Sequence, residues 1–264
     1  MPDLPRLGQG TWSMGEGRAS AATEAAALRL GLDLGMTLID TAEMYGDGGA
    51  ERVVAAAIAG RRSEVFLVSK VLPTNATRTG IPRACAASLK RLGTDTLDLY
   101  LLHWPGRTPL DETVDAFERL REAGHIRAWG VSNFDLDAMQ SLPPGCATNQ
   151  VLYNLEHRGP EFDLVPWMQQ QAMPMMAYSP VGQGGQLLRH PALREVARRH
   201  DATPAQIAIA FTLAQPGTTS IPKATDLAHL RENAAAAIRL TPEDRATLDA
   251  AFPPPRRKHA LAML

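Results

Sequence analysis

Four polar side chains stand at or just past the ends of successive apolar runs: Asp40 and Tyr45 after Leu38-Ile39, Lys70 closing Val65–Ser69, and His103 closing Leu99–Leu102. The intervals from 40 to 70 and from 70 to 103 each fit one strand, one helix and two loops. If the strands run parallel, an acid, a phenol, an amine and an imidazole share one rim. A phenol is a weak acid, with an ordinary pKa of about 10. A neighbouring ammonium favours the phenolate and makes the phenol a better proton donor. Asp40 would hold Lys70 charged, and a neutral His103 could hydrogen-bond the oxygen being protonated. That set suits reduction of a carbonyl, with Tyr45 giving the proton while a hydride reaches the carbon. No metal or flavin device is evident in the sequence, so a nicotinamide is the expected hydride donor.

Singly, each residue has a plainer use: Asp40 as a helix cap, His103 as a structural hydrogen-bonder, Tyr45 as the anchor of the Gly46-Asp47-Gly48-Gly49 turn. Lys70 resists that treatment, because a lysine ending a buried strand needs a carboxylate partner. It is also one of only four lysines, with Lys90, Lys223 and Lys258.

Strand-like and helix-like segments alternate throughout. The strands read at 6–10, 38–40, 65–70, 97–103, 126–132, 147–151, 174–179 and 220–221. Ser20 caps the first helix and Gly35 stops it; further helices read at 50–59, 81–92 (stopped by Gly93), from a cap at Asp111 to Gly124, from Asp135, and at 163–171, 191–200, 204–214, 226–237 and 243–251. Regular alternation argues for parallel strands with right-handed crossovers. Eight of them in 264 residues suit one (β/α)8 TIM barrel spanning 1–264. An open doubly wound sheet is the alternative, but Ser13 stands where Gly-x-Gly-x-x-Gly needs its third glycine.

A net charge of −1 favours neither nucleic acid nor a membrane surface. No apolar run approaches the roughly 20 residues that span a bilayer, and the amino terminus lacks the layout of a secretory signal. Cys85 and Cys146 are too few for a disulfide framework. The expectation is a cytoplasmic, monomeric protein whose partner is a small molecule. His103, His125 and His157 offer no ligand pair for a metal.

The chain resembles the aldo-keto reductases in a series of pieces that runs its whole length: Gly8-Gln9-Gly10-Thr11-Trp12, Leu38–Gly46, Val68-Ser69-Lys70, Leu101-Leu102-His103-Trp104-Pro105, Gly130-Val131-Ser132-Asn133-Phe134, Asn149-Gln150-Val151, Ala177-Tyr178-Ser179-Pro180, Ile221-Pro222-Lys223 and Arg231-Glu232-Asn233. The resemblance implies a barrel that binds NAD(P)H, a catalytic tetrad of Asp40, Tyr45, Lys70 and His103, and Tyr45 as general acid. It assigns Ser132, Asn133 and Gln150 to the nicotinamide carboxamide and the Tyr178 ring to the nicotinamide face. Thr11, Asp40, Ser179, Pro180 and Gly182 join the cofactor contacts, Gly182 within the loop Gly182-Gln183-Gly184-Gly185. Lys223 matches the lysine aimed at the 2′-phosphate of NADPH, and Glu232 and Asn233 match the adenine-contacting pair.

Three departures surround Lys223. Ala224 and Asp226 stand where hydroxyl residues are frequent, and His229 replaces the usual arginine, a bidentate and always-charged phosphate partner. NADPH is favoured on Lys223, with NADH the alternative. Trp12 and Trp104, with Tyr45 and His103, match the substrate pocket. The segment 105–110 and the tail after Phe252 are short, which predicts an open pocket for aldehydes, dicarbonyls and sugar-derived ketones. The competing class is a nicotinamide-binding regulatory or redox-sensing barrel with negligible turnover.

Overall fold

The computed structural model describes residues 3–264. Eight strands, β1 (Gly8–Gly10), β2 (Leu38–Asp40), β3 (Phe66–Val71), β4 (Leu99–Leu102), β5 (Trp129–Ser132), β6 (Asn149–Leu152), β7 (Met175–Tyr178) and β8 (Thr218–Ile221), form one sheet in sequence order, every pair parallel. A bridge between Leu7 and Ser220, with Gly10 N–H donating to the Pro222 carbonyl, joins the first strand to the last. The helices are α1 (Ala21–Asp33), α2 (Gly49–Ile58), α3 (Gly80–Leu92), α4 (Leu110–Glu122), α5 (Leu136–Gln140), α6 (Leu164–Gln170), α7 (Pro191–Arg199), α8 (Pro204–Leu213), α9 (Leu227–Ala234) and α10 (Pro242–Ala251). The (β/α)8 barrel expected from the alternation is the fold.

Period-two alternation decides which strand residues see which side. Leu38, Val68, Leu99, Leu101, Met176 and Ile221 cluster inside the barrel. Their neighbours Ile39, Leu67, Val71, Tyr100, Leu102, Val131 and Ala177 pack outward against the helices in the larger core. Stepping by two from the interior residues reaches Asp40, Lys70, His103 and Tyr178. The inner stripe that fills the barrel therefore delivers polar groups to its carboxyl rim.

Most strands are shorter than their apolar runs predict, because the outer residues of those runs lie in the connecting loops. One cap differs. Pro109, not Asp111, occupies the N-cap of α4, and Asp111 falls in the first turn beside Glu112. Pro109 fixes the backbone entry, while the two acids still complement the helix dipole. Ser20 and Asp135 cap α1 and α5 through side-chain acceptance from Thr23 N and Ala138 N.

Candidate active site

Lys70 is wholly buried, yet its ammonium lacks nothing. Nζ donates to Asp40 Oδ2 at 2.7 Å, to the Thr41 carbonyl at 2.9 Å and to the Tyr45 hydroxyl at 3.2 Å. Three acceptors for three donors satisfy the group completely. Burial works against the charge, but Asp40 and Tyr45 outweigh it and leave the Lys70 pKa raised. The other Asp40 oxygen, Oδ1, accepts from Gln150 Nε2 at 2.7 Å. Asp40 is thus held from β3 on one side and from β6 across the barrel.

Desolvation raises the pKa of the Tyr45 phenol, while the Lys70 ammonium pulls in the opposite direction. The phenol therefore carries its proton at neutral pH, and Lys70 stabilises the phenolate left behind. His103, 7% exposed, lies edge-on to Tyr45 with ring centroids 5.7 Å apart. Burial first, and the Lys70 charge second, drive the His103 pKa down to about 3. The imidazole is neutral. Its Nδ1 is buried with no partner among the described residues, and the centroids of the His103 and Trp104 rings lie 4.8 Å apart.

The segments after β5 and β7 meet beside this group. Tyr178 Oη donates to Asn133 Oδ1 at 2.9 Å, and Asn133 Nδ2 donates to the His103 carbonyl and to Ser132 Oγ, both at 3.1 Å. Asn133 and Ser179 have φ of +61° and +51°. Such left-handed backbone costs energy for residues other than glycine and clusters where surroundings over-determine it. Asn154 Nδ2 supports the Ser179 carbonyl at 2.8 Å. Thr11 Oγ1 donates to the Asp40 carbonyl at 3.0 Å, tying the β1 loop to the same rim.

The sites assigned from sequence thus divide into three groups. Asp40, Tyr45, Lys70, His103, Trp104, Thr11, Ser132, Asn133, Gln150 and Tyr178 are joined by the contacts above. Gly182, with φ of +58°, opens the turn after Pro180, and Gly184 has nothing within 4 Å of where a Cβ would be. Lys223, His229, Glu232 and Asn233 form a separate group on the stretch from β8 through α9. A Cβ on Gly10 would lie 3.8 Å from the Lys223 Cβ, which places that lysine at the mouth between β1 and β8. His229 is exposed, and Asn233 is buried. Asp226 caps α9, accepting from Ala228 N and His229 N at 2.9 and 3.0 Å.

Sequence reasoning missed two supports. Gln150 positions Asp40 besides facing the rim, a pairing invisible at a separation of 110 residues. Glu43 Oε1 accepts from Leu72 N at 2.7 Å and Asn75 Nδ2 at 3.0 Å, fastening the loop after Lys70. Its place two residues before Tyr45 was the available signal. In the tail, Lys258 pairs with Asp137 and Asp163, and Leu261 packs on the core.

A buried lysine clasped by a carboxylate and a phenol, beside a neutral histidine at the carboxyl end of a barrel, is also the setting in which known proteins resemble this one. Residues 6–252 match the Aldo/keto reductase family. The chain belongs to that family. It is 53% identical to methylglyoxal reductase YeaE of Escherichia coli over 271 residues, covering 99% of this chain and 95% of the relative. A crystal structure of an aldo/keto reductase from Klebsiella pneumoniae in complex with NADP and acetate superposes with a TM-score of 0.96 at 50% identity, covering 99% of this chain and 96% of that one. The thermostable aldo-keto reductase Tm1743, in complex with the inhibitor epalrestat, gives 0.87 at 40% identity over 94% and 95%. No helix among the described residues is long and apolar enough to cross a membrane, and no group of three potential metal ligands occurs among them.

Proposed function

We propose that residues 1–264 act as one monomeric, cytoplasmic reductase of aldehydes and ketones that uses NADPH, with Tyr45 as the general acid. The observation that carries this reading is the Asp40–Lys70–Tyr45 chain, which leaves a protonated phenol at the rim with a buried cation 3.2 Å behind it. The donor set fits a nicotinamide: amide and hydroxyl groups on Ser132, Asn133 and Gln150 suit a carboxamide, and the Tyr178 ring offers a flat aromatic face. The glycine turn at 182–185 lets backbone approach a pyrophosphate. Lys223 would hold the 2′-phosphate, with Glu232 and Asn233 toward the adenine.

Bound NADPH supplies a hydride, and with it two electrons, to the carbonyl carbon. Everything else falls to the chain. His103, neutral and with its unpaired Nδ1 in the buried interior, is left with Nε2 to orient the substrate oxygen. Tyr45 Oη gives that oxygen its proton, so the carbonyl becomes an alcohol. The phenolate formed is stabilised by Lys70, whose own charge Asp40 sustains. A cation fixed in place before the charge develops lowers the barrier without reorganising at the moment of transfer. Trp12, 46% exposed, and Trp104 supply apolar walls suited to small aldehydes and dicarbonyls.

The test is the loss of NADPH absorbance, and separately NADH, with methylglyoxal and a simple aromatic aldehyde. Turnover with either supports the reductase reading. Cofactor binding without turnover on a broad carbonyl panel would instead establish a nicotinamide-binding regulatory barrel. Tyr45→Phe should bind cofactor nearly as well as the unsubstituted protein, while turnover falls about 100-fold or more, the scale of a positioned acid. Full turnover in that variant would remove Tyr45 from the role.

A further inference from the structure

Ser179 adopts a backbone that its own neighbours oppose. It precedes Pro180, and a following proline ordinarily pushes a residue to extended backbone, yet its φ is +51°. A left-handed serine carries the steric cost that glycine escapes, and such conformations persist only where the surroundings impose them. The Ser179 carbonyl shows what imposes this one: it accepts from Gly182 N at 3.1 Å and from Asn154 Nδ2 at 2.8 Å. The first bond closes the turn locally. The second comes from another loop, two residues past the end of β6.

Asn154 has no exposed surface and uses both ends of its amide. Oδ1 accepts from Glu156 N at 2.9 Å and from His157 N at 3.0 Å, so Nδ2 must be the atom that faces Ser179. The turn from which it reaches is itself fixed. Buried Arg158 donates to Glu161, to Asp249 of α10 and to the Phe252 carbonyl, and the Tyr153 hydroxyl donates to Glu161 at 2.8 Å. A strut anchored on α10 thus ends on the Ser179 carbonyl. On either side of Ser179 stand groups that the cofactor reading uses: the Tyr178 ring before it, and Pro180 with the turn at 182–185 after it. A Cβ on Gly182 would lie 3.1 Å from Glu156 Oε2, so the two turns also abut.

We infer that Asn154 is a positioning residue for the dinucleotide: by holding Ser179 left-handed it presets the Tyr178 ring and the turn after Pro180, so that the cofactor meets them already arranged. The inference rests on the cofactor assignment within the reductase reading. Without the Nδ2 donor, Ser179 relaxes in the free protein and binding must restore it, which weakens affinity by the fraction of molecules still arranged. Among the described residues no hydrogen bond joins Asn154 to Asp40, Tyr45, Lys70 or His103, so proton transfer should be affected far less than binding.

Asn154→Asp and Asn154→Ala test it, by calorimetric titration with NADP+ and NAD+. Asp keeps an oxygen for Glu156 and His157 and removes only the donor to Ser179, so it separates the strut from the turn that carries it. Both variants should raise the Kd for NADP+ about 5- to 50-fold, the scale of one buried hydrogen-bonding group left without its partner. The Kd for NAD+ should rise by the same factor, because the lost arrangement serves both nucleotides. At saturating NADPH, kcat with methylglyoxal should stay within about three-fold while the KM for NADPH rises. Ser179→Gly supplies the decisive background: glycine takes positive φ freely, so there Asn154→Ala should cost less than about two-fold in Kd. A parental Kd in Asn154→Asp overturns the inference, since the donor then does nothing. An equal cost of Asn154→Ala in both backgrounds also overturns it, by assigning the loss to general disruption. If Asn154→Ala does not fold, Asn154→Asp alone decides. An unsubstituted protein that binds neither nucleotide overturns the cofactor reading, and this inference with it; one that binds without turnover overturns only the reductase reading.

Discussion

The cluster around Lys70 depends on balance at each residue. A lysine with no exposed surface is tolerable because every N–H has a partner, and because Asp40 is itself held by Gln150. Removing one member of such a pair strands the other as an uncompensated charge, at a cost of about 3–5 kcal/mol. Lys70→Met should therefore lose stability as well as activity, and Lys70→Met/Asp40→Leu should recover stability without recovering turnover; thermal denaturation alongside the reductase assay separates the two effects. A second consequence concerns pH. With a pKa near 3, His103 stays neutral throughout ordinary conditions and gives no limb of its own to the rate profile between about pH 5 and 8. Tyr45, with its pKa raised, should instead produce a decline in reduction at alkaline pH as the phenol loses its proton. An acidic limb with a midpoint near 6.5 that vanished in His103→Gln would contradict the neutral assignment.

At the scale of elements, two-residue alternation explains what could be read from the sequence. Asp40, Lys70 and His103 continue the inner stripe of β2, β3 and β4, so apolar runs ending in polar residues already disclosed the rim. What stayed hidden depended on partners far apart in the chain: Gln150 on Asp40, Asn154 on the Ser179 carbonyl, and Lys258 on Asp137 and Asp163. None of these follows a local period. The helix layer shows the same division. Thr241 and Asp244 form a capping box at α10, legible as a pattern, but Asp244 also meets His200 Nε2 at 2.7 Å and Arg199 Nη1 at 3.2 Å from α7 and its end. Although burial opposes it, those partners hold the Asp244 carboxyl below its ordinary range. A depressed carboxylate pKa contributes stability that is present above the unfolded value of about 3.9 and is lost as pH falls below it. Asp244→Ala should accordingly lower the Tm at pH 7, by about 2–6 °C for a lost cap of about 1–2 kcal/mol. The gap between variant and parent should close on acidification below pH 4, as calorimetry at successive pH values would show. A gap independent of pH would assign the loss to packing instead.

For the whole molecule, the barrel gathers side chains from β1 through β8 around one mouth, and a ligand laid across that mouth ties many elements together at once. A dinucleotide reaching from Tyr178 to Lys223 would cross from the end of β7 to the stretch after β8. Any ligand bound by the folded state alone raises stability by RT ln(1 + [L]/Kd), about 2.7 kcal/mol at a hundredfold excess over Kd. For a chain of this length that is a rise in Tm of about 5–10 °C. NADP+ at such a concentration should give that rise, and NAD+ at the same concentration should give less if Lys223 reads the 2′-phosphate. Lys223→Ala should then make the two nucleotides equal by lowering the NADP+ shift, without changing the NAD+ shift. The surroundings of Lys223 should limit how large the difference becomes, because Asp226 already occupies the first amides of α9 and puts a carboxylate three residues beyond the lysine. Equal shifts in the unsubstituted protein would mean that Asp226 cancels Lys223 and that the enzyme uses either nucleotide. A difference that survives Lys223→Ala would move phosphate recognition to another residue, with His229 the first to substitute.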